Sequence, residues 1–328
     1  MQFVQSNTRF LGNILSLSLR GQHQEVRQRV GEKYRNLLKR YYARRGSRGI
    51  RVMNEAWDYL IILDACRYDY FEVTNQLRGR LEKRVSLGSN TSEWLKKNFT
   101  GYYDDVIYIS ANPHCSDHEI AGFIGTEHFF KVENVWNYGW SEKLDTVPPH
   151  EVTNAALCLK DMYPDKRMII HYIQPHGPWI GKTRITVDEM GFDSSLAMFN
   201  DRWVVDTMAW NLVKAGKLDV ALLKQATLDN LTLALTEVER LVNELTGKVV
   251  VSADHGEAFG EKGIYEHTAG IYTKELVEVP WLVIDKGPKQ VVSNILSPEW
   301  VVEDGLAAMP PLGKDKVADR LRALGYFE

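Results

Sequence analysis

The sequence is poor in cysteine: Cys66, Cys115 and Cys158 are the only three in 328 residues, and no two form a CxxC pair. So sparse and odd a set excludes a disulfide framework and reads as reduced thiols. Long apolar runs are lacking too. None approaches the roughly 18 residues of a membrane-spanning helix. The nearest, Leu11 to Leu19, is broken by Gly12, Asn13 and serines, and no small-residue cleavage site follows it. These absences predict a cytoplasmic protein, peripheral to a membrane at most. A surplus of one charge is missing as well: 40 Lys/Arg oppose 43 Asp/Glu for a net charge of -3, which favours no partner. With 44% hydrophobic and 25% charged residues, the chain can bury a core, and disorder throughout is excluded.

The charge is unevenly spread. Residues 1–50 carry eleven Lys/Arg against Glu25 and Glu32, a surplus of nine, so the remainder is acidic by about twelve. Within this arm Val26, Val30, Leu37 and Tyr41 recur near helical spacing among Arg27, Arg29, Lys33, Arg35, Lys39 and Arg40, and Gly46 to Gly49 ends the helix. Two readings stand: a basic helix lying on an anionic membrane surface or a partner, or a solvated helix packed on the body by one stripe. No aromatic platform or binding motif accompanies the charge, so no nucleic acid partner is expected.

Residues 51–328 read as one α/β domain. Tyr59–Leu63 is a continuous apolar run, the pattern of a parallel strand buried on both faces. Val106–Ile109, Met168–Ile173, Val249–Ser252 and Trp281–Ile284 are further strand candidates. Leu228, Leu231, Leu235, Val238, Val242 and Leu245 mark a long helix stopped by Gly247. This alternation predicts a largely parallel central sheet with helices on both faces. Residues 181–220 look like an irregular insertion covering the site.

Several strands run straight into polar residues: Asp64 after the first, Gln174-Pro175-His176-Gly177-Pro178 after another, and Asp254-His255-Gly256-Glu257 after a third. Ligands of open parallel sheets bind at the carboxyl ends of the strands, so these clusters should converge. Two carboxylates and an imidazole suit Zn²⁺, Mn²⁺ or Mg²⁺. Each has an ordinary alternative. A lone Asp at a strand end is commonly a turn or cap residue, and a lone His is commonly structural. The hydroxyl-rich Ser86-Leu87-Gly88-Ser89-Asn90-Thr91-Ser92-Glu93 opens a helix, with Thr91 or Ser92 as cap. A hydroxyl there also lies where an anion is favoured, and a metal beside it would make it a nucleophile. His176 and His267 could bind anionic oxygens or protonate a leaving group.

In this order the motifs resemble the alkaline phosphatase superfamily, in its sulfatase-like branch. The match runs over 57–328: Leu63-Asp64-Ala65-Cys66-Arg67-Tyr68-Asp69, the His176 loop, Ser252-Ala253-Asp254-His255-Gly256-Glu257, then Tyr265-Glu266-His267, Val279-Pro280-Trp281 and the tail Arg320–Tyr326. Asn90-Thr91-Ser92-Glu93 is similar to the threonine motif of phosphoethanolamine transferases and lipoteichoic-acid synthases. The resemblance implies a divalent metal (Mn, Zn, Mg or Ca) held by Asp64, Thr91, Asp254 and His255. Thr91 would be the nucleophile, and His176, His267, Arg67 and Asn90 would contact the substrate.

The departures matter. The Cys/Ser-x-Pro-x-Arg sequence of formylglycine sulfatases is absent, which favours phosphate over sulfate esters. Asp69 stands five residues after Asp64 in place of consecutive aspartates. Asp229 has no His at helical spacing after it, which makes a second metal doubtful. The expected function is therefore a metal-dependent hydrolase or transferase of a small-molecule, glycan-linked or lipid-linked phosphate or sulfate ester. The alternatives are a non-catalytic anion-binding relative at a membrane surface and a phosphosugar mutase.

Overall fold

The computed structural model describes residues 13–20, 22–46, 48–185, 205–289 and 314–324. At its centre is a seven-stranded sheet in the order β2-β9-β6-β1-β5-β3-β4. The strands are β1 (Tyr59–Leu63), β2 (Arg80–Val85), β3 (Tyr103–Ser110), β4 (Phe129–Asn134), β5 (Arg167–Tyr172), β6 (Lys248–Ser252) and β9 (Glu278–Asp285). Neighbours from β6 to β4 run parallel. β9 is antiparallel to both β6 and β2. A small hairpin, β7 (Ala258–Phe259) with β8 (Tyr265–Glu266), lies apart from the main sheet. The expected α/β architecture is thus present.

Alternation along the strands builds two apolar layers. Tyr59, Ile61 and Leu63 enter one cluster with the helices Pro149–Met162, Val220–Glu244 and Lys314–Ala323. Leu60 and Ile62 enter the other, with Trp94 and Leu95 of the helix Thr91–Asn98. Successive side chains of a strand face opposite sides, and each fully buried aliphatic contributes about 1.5–3 kcal/mol. A strand buried on both faces therefore reads as an unbroken apolar run. By contrast β2, whose side chains are half-buried or exposed, has the mixed sequence RLEKRV, and no apolar pattern marked it.

The segment expected to be irregular over 181–220 is in part helical, as Val205–Lys214 is an α-helix with Trp210 buried. Residues 186–204, the rest of that expected insertion, lie outside the described residues, as do Gly325 and Tyr326 of the tail.

The basic arm forms the helix His23–Arg45, ended at Gly46, whose φ of 65° favours glycine. It does not pack through the stripe its spacing suggested. Leu38 and Tyr42 meet the body against a cluster of Ala258, Ile264, Ile271, Leu276 and Val277, with Tyr42 edge-on to Tyr272 at 5.4 Å. Val30, Tyr34, Leu37 and Tyr41 remain exposed at 46%, 37%, 51% and 46%.

Candidate functional site

Five chain segments bring polar side chains to the carboxyl edge of the sheet. Asp64 follows β1, Asn112 and His114 follow β3, His176 follows β5, Asp254 and His255 follow β6, and Thr91 lies beyond β2. Asp64, Thr91, Asp254 and His255 are each at most 1% exposed. The one-letter spacing Asp-His-Gly has a steric origin: a Cβ at Gly256 would collide with the Glu275 carbonyl.

Asp254 is fixed by its own neighbourhood. One carboxylate oxygen accepts from the backbone N–H of Ala65 at 3.2 Å and of His255 at 2.9 Å. The other accepts from the Thr91 hydroxyl at 2.8 Å. Asp64 accepts from the Asn112 amide at 2.7 Å. His255 Nδ1 meets the Gly256 carbonyl at 2.9 Å, and a carbonyl can only accept, so the proton sits on Nδ1. Its Nε2 lone pair then faces Asp254 at 3.3 Å, Asp64 at 3.5 Å and Thr91 Oγ1 at 3.3 Å. Burial holds His255 well below its ordinary pKa, so no proton on Nε2 relieves this crowding. Buried lone pairs converging in this way fit a cation, and the donor types suit a divalent metal. Asp64, Asp254 and His255 offer ligand atoms that lie within 4.8 Å of one another.

The cap of the helix Thr91–Asn98 differs from expectation. Asn90 caps it, accepting from the Glu93 N–H at 2.9 Å. That leaves the Thr91 hydroxyl to turn into the cluster, and it is Thr91 rather than Ser92 that meets Asp254. Arg67 also departs from its expected place. Its guanidinium is engaged by Asp69 at 2.6 and 2.8 Å, by Glu261 at 2.6 Å and by the Glu257 carbonyl at 3.2 Å. It ties the β1 turn to the β7 hairpin instead of facing the cluster. Asn90 and Arg67 are thus the two expected substrate contacts that carry structural duties.

A second group of metal-ligating types, which the argument for a single metal did not foresee, joins His176, Glu257 and His267. The His267 ring lies 4.7 Å from that of His255 and 5.1 Å from that of His176, so the two groups adjoin. Asn230 fixes the His176 loop by accepting from the N–H of Ile180 and Gly181 and donating to the carbonyls of His176 and Pro178. Asp229 beside it accepts from the Thr183 N–H at 2.8 Å, a structural tie away from both groups.

Burial alone would lower the His267 pKa, but the charge of Glu257 and their 3.1 Å contact raise it to about 9. Burial tends to raise Glu257, and His267 outweighs it and brings it below the carboxylate range. His267 therefore contributes stability fully present below its ordinary value of 6.5 and lost as pH rises through about 9. For Glu257 the contribution holds above its ordinary 4.5 and is lost as pH falls through its lowered folded value. In metal-free protein, Glu257→Gln should cost about 3–5 kcal/mol near pH 6 and much less above pH ~9.5. Thermal unfolding of both proteins across that range, with chelator present, checks it. An equal cost at both ends would refute the ion pair.

Sequence reasoning missed Asn112, His114 and His171. The first two were legible in principle, because Ser110-Ala111-Asn112-Pro113-His114 is another polar cluster after a strand. His171 lies inside an apolar strand and gave no such signal. His114 is buried, its Nδ1 3.0 Å from the Asn112 side-chain oxygen, and burial takes its pKa down to about 3.

No family model and no curated protein matches the chain. Solved structures do resemble it. The soluble domain of lipooligosaccharide phosphoethanolamine transferase A from Neisseria meningitidis is 18% identical, with a TM-score of 0.46 over 69% of this chain and 75% of that one. Against the whole integral membrane protein the similarity spans 46% of its length, at a TM-score of 0.47 and 16% identity. The periplasmic domain of phosphoethanolamine transferase EptC from Campylobacter jejuni is 17% identical, with a TM-score of 0.41 over 69% and 78% of the two chains. A protein from Bacteroides thetaiotaomicron described as a sulfatase is 11% identical, with a TM-score of 0.43 over 71% and 65% of the two chains.

The expectation of a cytoplasmic location is corrected here, because the transferase neighbours are periplasmic or membrane-anchored. The thiols it leaned on do not report a compartment. Cys66 and Cys115 are buried, which raises their pKa well above the ordinary value and keeps them inert in either setting. Among the described residues no helix is long and apolar enough to cross a membrane. Solved structures similar to this chain thus include phosphoethanolamine transferase domains and sulfatases, the kinds of protein found in the sulfatase-like branch that its motifs resemble.

Proposed function

We propose that the protein is a metal-dependent transferase or hydrolase of phosphate esters, with Thr91 as nucleophile. The observation that carries this reading is the convergence of the Thr91 hydroxyl, two carboxylates and the His255 Nε2 lone pair in one buried cluster. A divalent metal held by Asp64, Thr91, Asp254 and His255 would supply Lewis acidity, lowering the hydroxyl pKa and drawing charge from the ester.

This chain's residues do the remainder. Asp254 orients the Thr91 hydroxyl for in-line attack on phosphorus. The Thr91 oxygen forms the new bond to phosphorus as its proton passes to Asp254, which already accepts it at 2.8 Å, and the leaving-group oxygen departs, so that a phospho-threonine results. His267, protonated at neutral pH by its pairing with Glu257, gives its proton to that oxygen. Water or an alcohol then attacks the phospho-threonine and gives its proton to His267, while the departing Thr91 oxygen takes back the proton held by Asp254. His176, whose Nδ1 proton is committed to the Gly177 carbonyl at 2.7 Å, presents Nε2 to the same space.

Metal-stripped protein resupplied with Zn²⁺, Mn²⁺, Mg²⁺ or Ca²⁺ should hydrolyse p-nitrophenyl phosphate or its diester faster than p-nitrophenyl sulfate. Faster sulfate turnover would reverse the preference. Bound metal with no turnover of any ester would favour the anion-binding reading.

We also infer that the arm lies on an anionic membrane surface. In support, Val30, Tyr34, Leu37 and Tyr41 form one exposed stripe at helical spacing, while the body covers the neighbouring Leu38 and Tyr42. Lys33, Arg40, Arg44 and Arg45 flank the stripe on the same helix. Each basic residue near an anionic bilayer contributes about 1 kcal/mol. Co-sedimentation should show at least about tenfold tighter binding to phosphatidylcholine vesicles containing phosphatidylglycerol than to phosphatidylcholine alone. Leu37→Glu with Tyr41→Glu should remove the difference. Equal binding to both vesicles would sink the idea.

A further inference from the structure

His171, like His114, lies near the cluster and belongs to neither group of metal-ligating residues. It sits in the centre of the sheet, paired in register with Ile62 of β1 and Ser110 of β3, and is fully buried. Its strand neighbours Ile170 and Tyr172 face the layer of the long helices, while His171 faces the opposite layer near Trp94 and Tyr108. An aliphatic residue would suit this place better. Nδ1 lies 2.7 Å from the Tyr108 hydroxyl. Nε2 is buried without a hydrogen-bond partner among the described residues. It lies 4.0 Å from Asp64 Oδ2 and 4.0 Å from Asp254 Oδ2. A buried polar atom left so is destabilising, and it is aimed between the two carboxylates proposed as metal ligands.

The tautomer follows from these neighbours. Were the proton on Nδ1, the Nε2 lone pair would face two carboxylate oxygens across an apolar gap. With the Tyr108 O–H donating to Nδ1, Nε2 instead carries the proton and its positive end points at both carboxylates. Burial also keeps the phenol well above its ordinary pKa, so Tyr108 retains the hydrogen it donates. An N–H aimed at both carboxylates, 4.0 Å from each, orients them through its dipole.

We infer that His171, locked by Tyr108, is a positioning residue that holds Asp64 and Asp254 in the arrangement that binds the metal. The inference rests on the metal reading proposed above. Second-layer partners of this kind typically change metal affinity by about 10–100-fold.

The test is titration of the metal-stripped full chain with Zn²⁺ against a chromophoric chelator, with thermal unfolding of the metal-free proteins alongside. His171→Leu combined with Tyr108→Phe, so that no buried hydroxyl is left without its acceptor, should weaken Zn²⁺ binding by about 10–100-fold, while the metal-free Tm stays equal or rises because an unsatisfied buried group is gone. A merely structural histidine would do the reverse: a lower Tm and unchanged affinity. Tyr108→Phe, which removes the donor without changing shape, should weaken Zn²⁺ several-fold and serves if the leucine variant does not fold. Wild-type affinity in the folded variants would overturn the role of His171 alone. A wild-type protein that binds no Zn²⁺ would overturn the metal reading and this inference with it.

Discussion

Thr91→Ala should abolish turnover of whichever ester the protein accepts, by about 10⁴-fold or more. The hydroxyl is 1% exposed and donates to Asp254, so no solvent water can take its place without rearrangement. The fold should survive. Losing one buried hydrogen bond costs about 1 kcal/mol, and Asn90, not Thr91, caps the helix. Thr91→Ser keeps the hydroxyl and should retain a measurable fraction of activity. Ser92→Ala should behave nearly as wild type. Steady-state rates for the four proteins, each checked by thermal unfolding, separate a nucleophile from a packing residue. If Thr91→Ala keeps more than about a tenth of the rate, the covalent route is wrong.

Asp254→Asn should have opposite effects with and without metal. In the metal-free protein, the carboxylate faces the His255 lone pair at 3.3 Å and shares its cluster with Asp64. An amide there removes one buried negative charge and supplies a donor, so the metal-free Tm should hold or rise. Wild type should gain about 2.7 kcal/mol at Zn²⁺ one hundredfold above its dissociation constant. For a chain of 328 residues that corresponds to a Tm rise of about 4 °C. The variant should gain little and lose turnover by about 10³-fold. Matching Zn²⁺ shifts in the two proteins would remove Asp254 from the ligand set.

Much of the fold was legible because burial on both faces leaves a plain pattern. β1, β5 and β6 are continuous apolar runs, and the structure has them side by side. β2 and β4 were not legible. One is half-exposed throughout and the other has burial mixed along its length, so neither carries a clean period. The arm was read as a helix correctly, but its packed face was not. The body covers Leu38 and Tyr42 and leaves most of the expected stripe in the open.

In the site, strand-end polar residues pointed to Asp64, His176, Asp254 and His255, since charged groups after an apolar strand need partners. The side-chain partners of these residues were not legible. Arg67 looked like an anion contact until Asp69 and Glu261 took its guanidinium. His171 was hidden because a histidine inside an apolar strand looks like any core position.

By itself the sequence determined the α/β class, the main parallel strands and the edge of the sheet where polar residues gather. These depend on periodicity and on the cost of burying charge, both of which are local. Only the tertiary structure decided which hydroxyl turns inward, which histidine nitrogen carries its proton, which arginine is already paired and that Glu257 joins His267. Those outcomes depend on distances between residues up to 194 positions apart, such as Arg67 and Glu261. No pattern along one strand or helix encodes such distances, because they are set when separate segments close on the same edge.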